Sequence, residues 1–380
     1  MPRRSRPERL TNKAKLSPKA AENPSSESID ERPVFCLVVP WMSLGGADRC
    51  GLDLMSYYKE RGFRIAVIST RKMRVDCQRH RSFELLADEI HCTQDVVEVV
   101  KSLQPVYTVV NNSHEAYDQA GEIKKVAPET KLISLFHMIL NPPWDFEKSL
   151  LEGTSFDSVL PISHKLRGEL EEKGVPPEII KPVYWFGFPE IKDSDFKRKA
   201  PTGSPFILCP FRFHFQKRPE FVCDIAFSLK NKLPEPMMPI FLLVGDGELY
   251  SSIKKRAEEL KVSDWIEFKR GVDYNEMENL YRSASALVCP SIDEGIPLTY
   301  FEAMQWGVPL AVSNVGAVEE LVPSEYLVEF KVENEADKYA EILCKHLTGQ
   351  SAYDIHLAKK RVNSEFSKSI WKQNIERLIG

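Results

Sequence analysis

The sequence contains no apolar run long enough to cross a bilayer and no pair of cysteines in a C-x-x-C spacing. A membrane-spanning helix needs about 20 consecutive apolar residues, and the polar N-terminus lacks the apolar core of a signal peptide. The eight cysteines are scattered, several of them inside apolar runs where reduced thiols are commonly buried. These absences favour a cytoplasmic setting and indicate neither a zinc site nor a disulfide framework.

A strong charge imbalance is absent as well. The net charge is −4 over 380 residues, which gives no general case for binding nucleic acid. The hydrophobic share of 43% is that of a soluble globular protein. A chain of this length is expected to form two domains of ordinary size, each with its own core.

Residues 1–32 differ from the rest in composition. Arginine and lysine stand among proline, serine and asparagine with little to bury, which predicts a disordered basic tail. Such a tail suits contact with anionic lipid at the cytoplasmic face of a membrane. A solvated extension is the favoured explanation, because the basic residues are interrupted and form no amphipathic helix.

Apolar runs alternate with helical patterns along the remainder of the chain. Residues 34–39 and 64–69 are typical of buried parallel strands, and a Gly-Gly turn followed by a helix lies between them. This alternation predicts an α/β fold. The expected parts are a first domain at 33–195, a second domain at 196–350, a linker near 192–199, and a largely helical segment at 351–380.

Residues 289–314 carry the most informative local pattern. An apolar run ends at 289, a polar loop follows, Pro297 suits the first turn of a helix, and another apolar run begins at 310. The pattern predicts a strand, a loop, a helix and a strand. In open parallel sheets, ligands bind at such turns, beyond the carboxyl ends of the strands.

Two carboxylates border this turn, because Glu302 stands eight positions after Glu294. Between them, Gly295 allows backbone to approach a ligand closely, and the helix start presents free N–H groups to an anion. A phosphate flanked by carboxylates that accept hydroxyl groups is the arrangement that suits a sugar nucleotide. On spacing alone, however, a solvated loop acid and a surface helix acid are the more common explanation.

A second candidate group follows the apolar run that begins at 206. Arg212 and Lys217 stand five positions apart on the predicted loop. Guanidinium and ammonium groups at a strand end are suited to holding a diphosphate and to offsetting charge on a departing nucleotide. Basic loop residues by themselves are usually solvated charges.

Together these segments resemble retaining GT-B glycosyltransferases of the family 4 type, the "glycosyl transferases group 1" family. Cys-Pro-Ser-Ile-Asp-Glu-Gly-Ile-Pro-Leu at 289–298 and Phe-Glu-Ala-Met-Gln-Trp-Gly-Val-Pro at 301–309 match its E-x7-E signature, and Arg-x4-Lys matches its diphosphate clamp. The resemblance covers about residues 34–380 and is stronger in the second domain. It implies a GT-B fold: two facing Rossmann-like domains with parallel sheets, an interdomain cleft, and a C-terminal helix packed back on the first domain.

The resemblance also implies roles for individual residues. Arg212 and Lys217 hold the diphosphate and stabilise the leaving group. Glu294 orients the donor sugar, and Glu302 accepts from the ribose hydroxyls. His137, directly after a predicted strand, hydrogen-bonds the donor from the first domain. Residues expected to lie near the base, the phosphates or the sugar, mainly through backbone, are Gly45, Gly46, Gly245, Val272, Gly295, Ile296, Pro297, Leu298 and Thr299.

The sequence departs from the family pattern at several turns. Asp48 stands where the family usually has Glu, while Phe186 and Pro189 replace the usual Asn and Asp. Ala317 replaces a second Gly of a later turn. His114 lies at a predicted strand end like that of His137 but matches the family loosely, so an acceptor contact and a structural role carry equal weight there.

The function implied is retaining transfer of a sugar from a nucleotide diphosphate donor, UDP- or GDP-linked, without metal or cofactor. The acceptor, a glycan, a lipid-linked sugar or a small molecule, is expected against the first domain. Two alternatives share the architecture: a nucleotide-sugar 2-epimerase and a catalytically silent binding subunit. Epimerised sugar formed from donor alone distinguishes the first, and the complete charged set argues against the second.

Overall fold

The computed structural model describes residues 30–42, 45–71, 80–137, 155–181, 186–192, 194, 196 and 205–379. The chain divides into two compact units, residues 1–32 and 33–380, and both β-sheets lie in the second. The predicted basic tail, up to residue 29, and most of the predicted linker lie outside the described residues. Within the described ranges, no helix combines the length and the apolarity needed to cross a membrane.

The first half of unit 33–380 is a six-stranded parallel sheet with helices between its strands. The strands are β1 (Val34–Val39), β2 (Arg64–Ser69), β3 (Glu89–Cys92), β4 (Tyr107–Asn111), β5 (Lys131–Phe136) and β6 (Ser158–Pro161). The helices are α1 (Gly46–Lys59), α2 (His80–Leu86), α3 (Val96–Leu103), α4 (His114–Asp118), α5 (Ala120–Val126) and α6 (His164–Glu172). The sheet order is β3-β2-β1-β4-β5-β6.

The second half repeats this plan. Its strands are β7 (Phe206–Pro210), β8 (Ile240–Val244), β9 (Ile266–Lys269), β10 (Ala286–Cys289), β11 (Leu310–Ser313) and β12 (Leu327–Val328). Its helices are α7 (Phe221–Lys230), α8 (Tyr250–Glu259), α9 (Tyr274–Ser283), α10 (Leu298–Gln305) and α11 (Glu335–Leu347). The order β12-β11-β10-β7-β8-β9 is again fully parallel.

The sequence forms these elements for local reasons. All six residues of β1 are buried, as expected for a central strand covered on both faces by helices. Several helices begin at a residue whose side chain accepts a backbone N–H three positions later. Asp95, Ser163 and Asp273 do so at α3, α6 and α9, and each such cap stabilises by about 1 kcal/mol.

Both sheets have the strand order of a dinucleotide-binding fold. Counted from its own first strand, each runs 3-2-1-4-5-6, so the direction of winding reverses between β1 and β4 and between β7 and β10. Loops that leave the carboxyl ends of these strand pairs diverge and open a crevice for ligands. The predicted pair of parallel α/β domains is confirmed.

Two terminal helices join the halves. α12 (Ile355–Glu365) packs on α10, and α13 (Lys368–Ile379) contacts α1 in the first half. The rings of Tyr57 and Trp371 lie 5.7 Å apart, and Lys368 Nζ lies 3.1 Å from Asp53 Oδ1. α13 therefore lies against the first half of the unit.

The turn at 186–189, where the sequence departs from the family pattern, anchors these helices. Phe188 donates its N–H to the Phe366 carbonyl at 2.8 Å and accepts from the Lys368 N–H at 2.7 Å. A Cβ on Gly187 would lie 2.6 Å from Trp371 Cβ, so only glycine allows this approach. Phe186 stacks in the same aromatic cluster, with its ring 6.0 Å from that of Phe366. This turn, which departs from the family pattern, therefore packs in an apolar contact with the terminal helices.

Two local expectations differ from the structure. Pro297 was expected in the first helical turn but is the N-cap, with φ −69° and ψ 125°, and α10 begins at Leu298. The sequence Lys-Arg-Pro-Glu at 217–220 is typical of the start of a helix, but α7 begins only at Phe221. Arg218 precedes a proline, whose ring disfavours right-handed helical backbone at the residue before it, and Arg218 takes φ 48°.

Candidate active site

The predicted site residues of the second half lie on loops at the β7–β10 crossover. Arg212 and Lys217 follow β7, and Glu294 follows β10, the strand directly hydrogen-bonded to β7. The two loops are tied together, since the Ile292 N–H donates to the Gln216 carbonyl at 2.9 Å. Chain segments 77 residues apart in sequence therefore form one surface at the carboxyl edge of the sheet.

Lys217 and Glu294 form a buried ion pair. Lys217 Nζ contacts Glu294 Oε1, and the two side chains are only 16% and 7% exposed. Ser291 Oγ donates to the same oxygen at 2.6 Å. Such a pair is stable only with good geometry and further hydrogen bonds, which Ser291 supplies. The carboxylate and the ammonium group are thereby held in one orientation at the crossover.

Arg212 and Asp293 are two further charged residues of these loops. Arg212 is exposed and forms no ion pair with the other described residues. Burial raises the pKa of Asp293, and the negative charge of Glu294 adds to the effect. The structure therefore brings Lys217 and Glu294 together and leaves Arg212 at the surface of the same loop.

Glu302 is connected to the opposite half of the protein. Its Oε1 lies 2.5 Å from Arg49 Nη1, and its Oε2 accepts from the Tyr281 hydroxyl at 2.8 Å. The guanidinium of Arg49 also lies 5.2 Å from the ring centre of Phe188. Sequence reasoning assigned no role to Arg49 or Tyr281. Arg49 is the last residue of the Gly-Gly-Ala-Asp-Arg segment at 45–49. This position after the Gly-Gly turn is the feature of the sequence that could have indicated a role for Arg49.

We expect Arg49→Ala to weaken the joint between the halves. Removing a partly buried cation from a charge-assisted hydrogen bond should lower the free energy of unfolding by about 2 kcal/mol, measured by urea unfolding. Arg167→Ala is the matched control, because Arg167 pairs with Glu171 on the surface of one helix, where such pairs contribute about 0.5 kcal/mol. Equal losses in the two variants would contradict the assignment.

The first residues of α1 and α10 meet across the cleft. A Cβ on Gly46 would lie 3.4 Å from Leu298 Cγ. The two N-cap residues are Gly45 and Pro297, neither of which has a side-chain oxygen to accept a helix N–H. Two helix N-termini, each with a partial positive charge of about one half, therefore lie close to each other. Backbone N–H groups in this arrangement suit an anion.

A second close contact joins the halves at Gly295. A Cβ there would lie 2.2 Å from the carbonyl oxygen of His137. On the other side, the Ala317 N–H donates to the Gly295 carbonyl at 3.0 Å, and a Cβ on Gly316 would lie 1.8 Å from the Glu294 carbonyl. The loop that carries Glu294 is therefore packed between β5 and the turn after β11, with no room for side chains at either glycine.

The hydrogen-bond chain behind His137 determines its tautomer. Asn111 Nδ2 donates to the Ala47 carbonyl at 3.0 Å, so Asn111 Oδ1 faces His137 Nε2 at 2.7 Å. An amide oxygen only accepts, so Nε2 carries the proton. Burial lowers the pKa of His137 to about 3. At neutral pH the ring is uncharged, and its Nδ1 is a hydrogen-bond acceptor.

Acidification is expected to destabilise the protein through His137. The folded-state pKa of about 3 lies below the unfolded value near 6.5, so the unfolded chain binds the extra proton between those values. Stability is therefore complete above pH 6.5 and should fall by up to about 1.4 kcal/mol per pH unit below it. Urea unfolding at pH 7 and pH 5 measures this loss. His137→Gln should show a shallower dependence, and an unchanged slope would contradict the prediction.

The remaining predicted binding residues of the second half lie beyond the carboxyl ends of strands of the same sheet. A Cβ on Gly245 would lie 2.1 Å from the Phe211 carbonyl oxygen, so the turn after β8 packs on the Arg212 loop. Val272 is partly buried beyond the end of β9. Ile296 is buried, whereas Pro297, Leu298 and Thr299 are partly exposed at the start of α10. In the described part of the chain, His, Cys, Asp and Glu side chains form no group of three that could hold a metal.

The chain is similar in sequence to known glycosyltransferases. Residues 190–360 match the family model described as "Glycosyl transferases group 1". The UDP-Gal:alpha-D-GlcNAc-diphosphoundecaprenol alpha-1,3-galactosyltransferase of Escherichia coli is 29% identical over 41% of each chain. The O-antigen chain mannosyltransferase RfbU of Salmonella typhimurium is 26% identical over 43% of this chain and 44% of its own. The matches thus span less than half the length of these curated relatives.

Solved structures match over most of the chain. HepE of Anabaena, in complex with UDP-glucose, superposes with a TM-score of 0.72 at 17% identity, covering 90% of this chain and 98% of HepE. The lipopolysaccharide outer core galactosyltransferase WaaB superposes with a TM-score of 0.68 at 14% identity, covering 91% of this chain and 99% of WaaB. At such identities the similarity shows the fold, and the predicted GT-B fold is confirmed.

Proposed function

We propose that this protein is a glycosyltransferase that moves a hexose from a nucleotide diphosphate sugar to an acceptor hydroxyl. The observation that carries the proposal is the contact between Gly46 and Leu298, the first residues of two helices whose N-termini lie side by side between the two halves. A diphosphate is the anion that such a site fits best. The family match of the second half and the activities named for its relatives support this assignment.

The cations beside the helix ends would hold the donor diphosphate. Lys217 is fixed by Glu294 and Ser291 at the β7–β10 crossover, and Arg212 stands exposed on the same loop. These positive charges would stabilise the charge that grows on the leaving nucleotide. We further propose that no metal is required, because the helix ends and cations act where a divalent ion acts in other transferases.

Carboxylates and His137 would bind the sugar hydroxyls. The carboxylate of Glu302 has about four acceptor positions, and the contacts with Arg49 and Tyr281 leave others for the ribose hydroxyls. Glu294 would accept from the donor sugar, and the neutral ring of His137 would hydrogen-bond the donor from the other half.

We propose transfer with retention of the anomeric configuration. The bond between the anomeric carbon and the phosphate oxygen breaks, and the acceptor oxygen attaches on the same face of the sugar. The departing phosphate oxygen takes the acceptor proton, which balances the reaction. This route needs no enzyme nucleophile, and neither Glu294 nor Glu302 is assigned that role.

Donor binding is tested by thermal unfolding with UDP-, GDP- and ADP-hexoses. A donor at 100 times its Kd should stabilise the folded state by about 2.7 kcal/mol. Failure of all three nucleotides to raise the Tm would contradict the proposal. For a donor that binds, NMR of the product reports the anomeric configuration, and turnover in EDTA tests the metal-free mechanism. Epimerised sugar formed in the absence of acceptor would favour the 2-epimerase alternative.

A cytoplasmic enzyme with a basic tail suits an acceptor at a membrane surface, and we propose a glycan or lipid-linked acceptor. Arginine and lysine near an anionic surface each contribute about 1 kcal/mol to binding. Sedimentation of the full chain with vesicles of phosphatidylglycerol, compared with phosphatidylcholine vesicles, measures this contact. Equal binding to both would remove the role given to the tail.

A further inference from the structure

The carboxyl edge of the first sheet carries a second side-chain group beside the site described above. Trp41 follows β1, Arg71 follows β2, and Glu115 lies just beyond β4, so the group spans three adjacent strands. Trp41 and Arg71 are each 42% exposed. The Arg71 guanidinium carbon lies 5.1 Å from the Trp41 ring centre, and its Nε lies 3.5 Å from Glu115 Oε1. An aromatic ring, a guanidinium and a carboxylate therefore share one accessible surface.

From this surface we infer an acceptor subsite for an uncharged pyranose, and the inference rests on the proposed glycosyltransferase function. The apolar face of a sugar ring would pack on the Trp41 indole. Ring hydroxyls would receive hydrogen bonds from Arg71 and donate them to Glu115, because a guanidinium only donates and an ionised carboxylate only accepts. A neutral polyhydroxyl ligand matches both groups at once.

The group stands on a rigid base. The Arg71 N–H donates to the Pro40 carbonyl at 2.8 Å, which ties the end of β2 to the segment that carries Trp41. Below it, the buried Thr70 hydroxyl donates to Glu115 Oε2 at 2.8 Å and lies 3.0 Å from Ser113 Oγ. Side chains held by such a network need little reordering when a ligand binds.

The position of the group suits an acceptor. His137 follows β5, and Trp41 follows β1, two strands away in the order β1-β4-β5. With strands about 4.8 Å apart, the separation along the sheet edge is about 10 Å. A ring on Trp41 would therefore lie beside the place assigned to the donor sugar and on the same edge of the sheet.

The local charge favours an uncharged ring over an acidic one. Burial raises the pKa of Glu115, but hydrogen bonds from backbone and from Thr70, together with the charge of Arg71, outweigh burial, and the net effect lowers that pKa. Burial and the charge of Arg71 lower the pKa of the nearby His114. Among the described residues, the charges around His114 are one cation, Arg71, and two carboxylates, Glu115 and Asp118, which disfavours an added anion.

The test uses simple sugars as probes. The methyl glycosides of glucose, galactose and mannose, and sodium glucuronate as the charged counterpart, are each added at roughly 10 mM, where a ligand of millimolar Kd is mostly bound. Saturation-transfer NMR measures contact with the full chain. At least one neutral glycoside is expected to bind, with glucuronate weaker. Trp41→Ala should reduce binding about tenfold, whereas Trp41→Phe should retain most of it.

Controls separate this inference from the proposed function. Leu85→Ala changes an exposed apolar side chain of the same half, 71% exposed, and should bind glycosides as the native protein does. Trp41→Ala should keep the Tm increase caused by a UDP- or GDP-hexose, and loss of that increase would overturn a role confined to the acceptor. Binding of no glycoside, unchanged binding by Trp41→Ala, or stronger binding of glucuronate would overturn the subsite while leaving the donor assignment intact.

Discussion

Lys217→Ala is expected to lower kcat/KM for sugar transfer about 10³-fold. The ammonium group is held by Glu294 and Ser291 at the crossover between β7 and β10, where it would meet the donor diphosphate. Loss of one preorganised charge that stabilises a leaving group costs about 10²- to 10³-fold in rate. Initial rates with varied donor measure the effect.

Stability must be measured beside activity, because the variant leaves Glu294 buried without its partner. Breaking a buried ion pair by removing one member costs about 3–5 kcal/mol. The double variant Lys217→Met, Glu294→Gln removes both charges and should recover most of that stability while remaining inactive. Lys255→Ala, at a lysine whose side chain is 79% exposed, should change neither property. A folded Lys217→Ala protein with normal turnover would remove the site assignment.

Gly295→Ala should lower the rate of transfer about 10²-fold while both sheets remain folded. The added Cβ would lie 2.2 Å from the His137 carbonyl oxygen, which belongs to the opposite half. Because backbone flanks Gly295, the strain can be relieved only by moving the two halves apart, by more than about 1 Å to reach an ordinary contact distance. A displacement of 1 Å at a reacting centre can cost about 10²-fold in rate. Turnover and circular dichroism together measure the outcome.

Gly168→Ala is the matched control for this change. Gly168 lies within α6, and a Cβ there would meet nothing within 4 Å. Alanine favours helix over glycine by about 1 kcal/mol, so this variant should be as active as the native protein and slightly more stable. Full activity in Gly295→Ala would show that the close approach to His137 is not needed for catalysis.

Much of the second half could be predicted from sequence because its signals are local. The loop with Glu294, the helix after it and the apolar strands on either side lie within 26 residues, so the apolar runs, proline and glycine predicted the order strand, loop, helix and strand. The ion pair between Arg49 and Glu302 could not be predicted in this way. These side chains are 253 positions apart, and no periodicity links residues on different domains.

The sequence also could not show which cation of the candidate site pairs with Glu294. Arg212 and Lys217 had equal claims as cations on one loop, yet only Lys217 is buried against Glu294, while Arg212 remains exposed. Lys217 ends a short 3-10 turn at Phe215–Lys217, whereas Arg212 precedes this turn. The tautomer of His137 depends likewise on Asn111 and Ala47, which come from other segments.

The order of residues along the chain was enough to determine two parallel α/β domains and the turn that carries Glu294, because strand burial, helix periodicity and turn chemistry act over a few residues. Tertiary structure alone decided which helix ends meet, which carboxylate pairs with which cation, and where Trp41, Arg71 and Glu115 form one surface. Those contacts arise when distant segments pack, and packing depends on the shape of the whole fold.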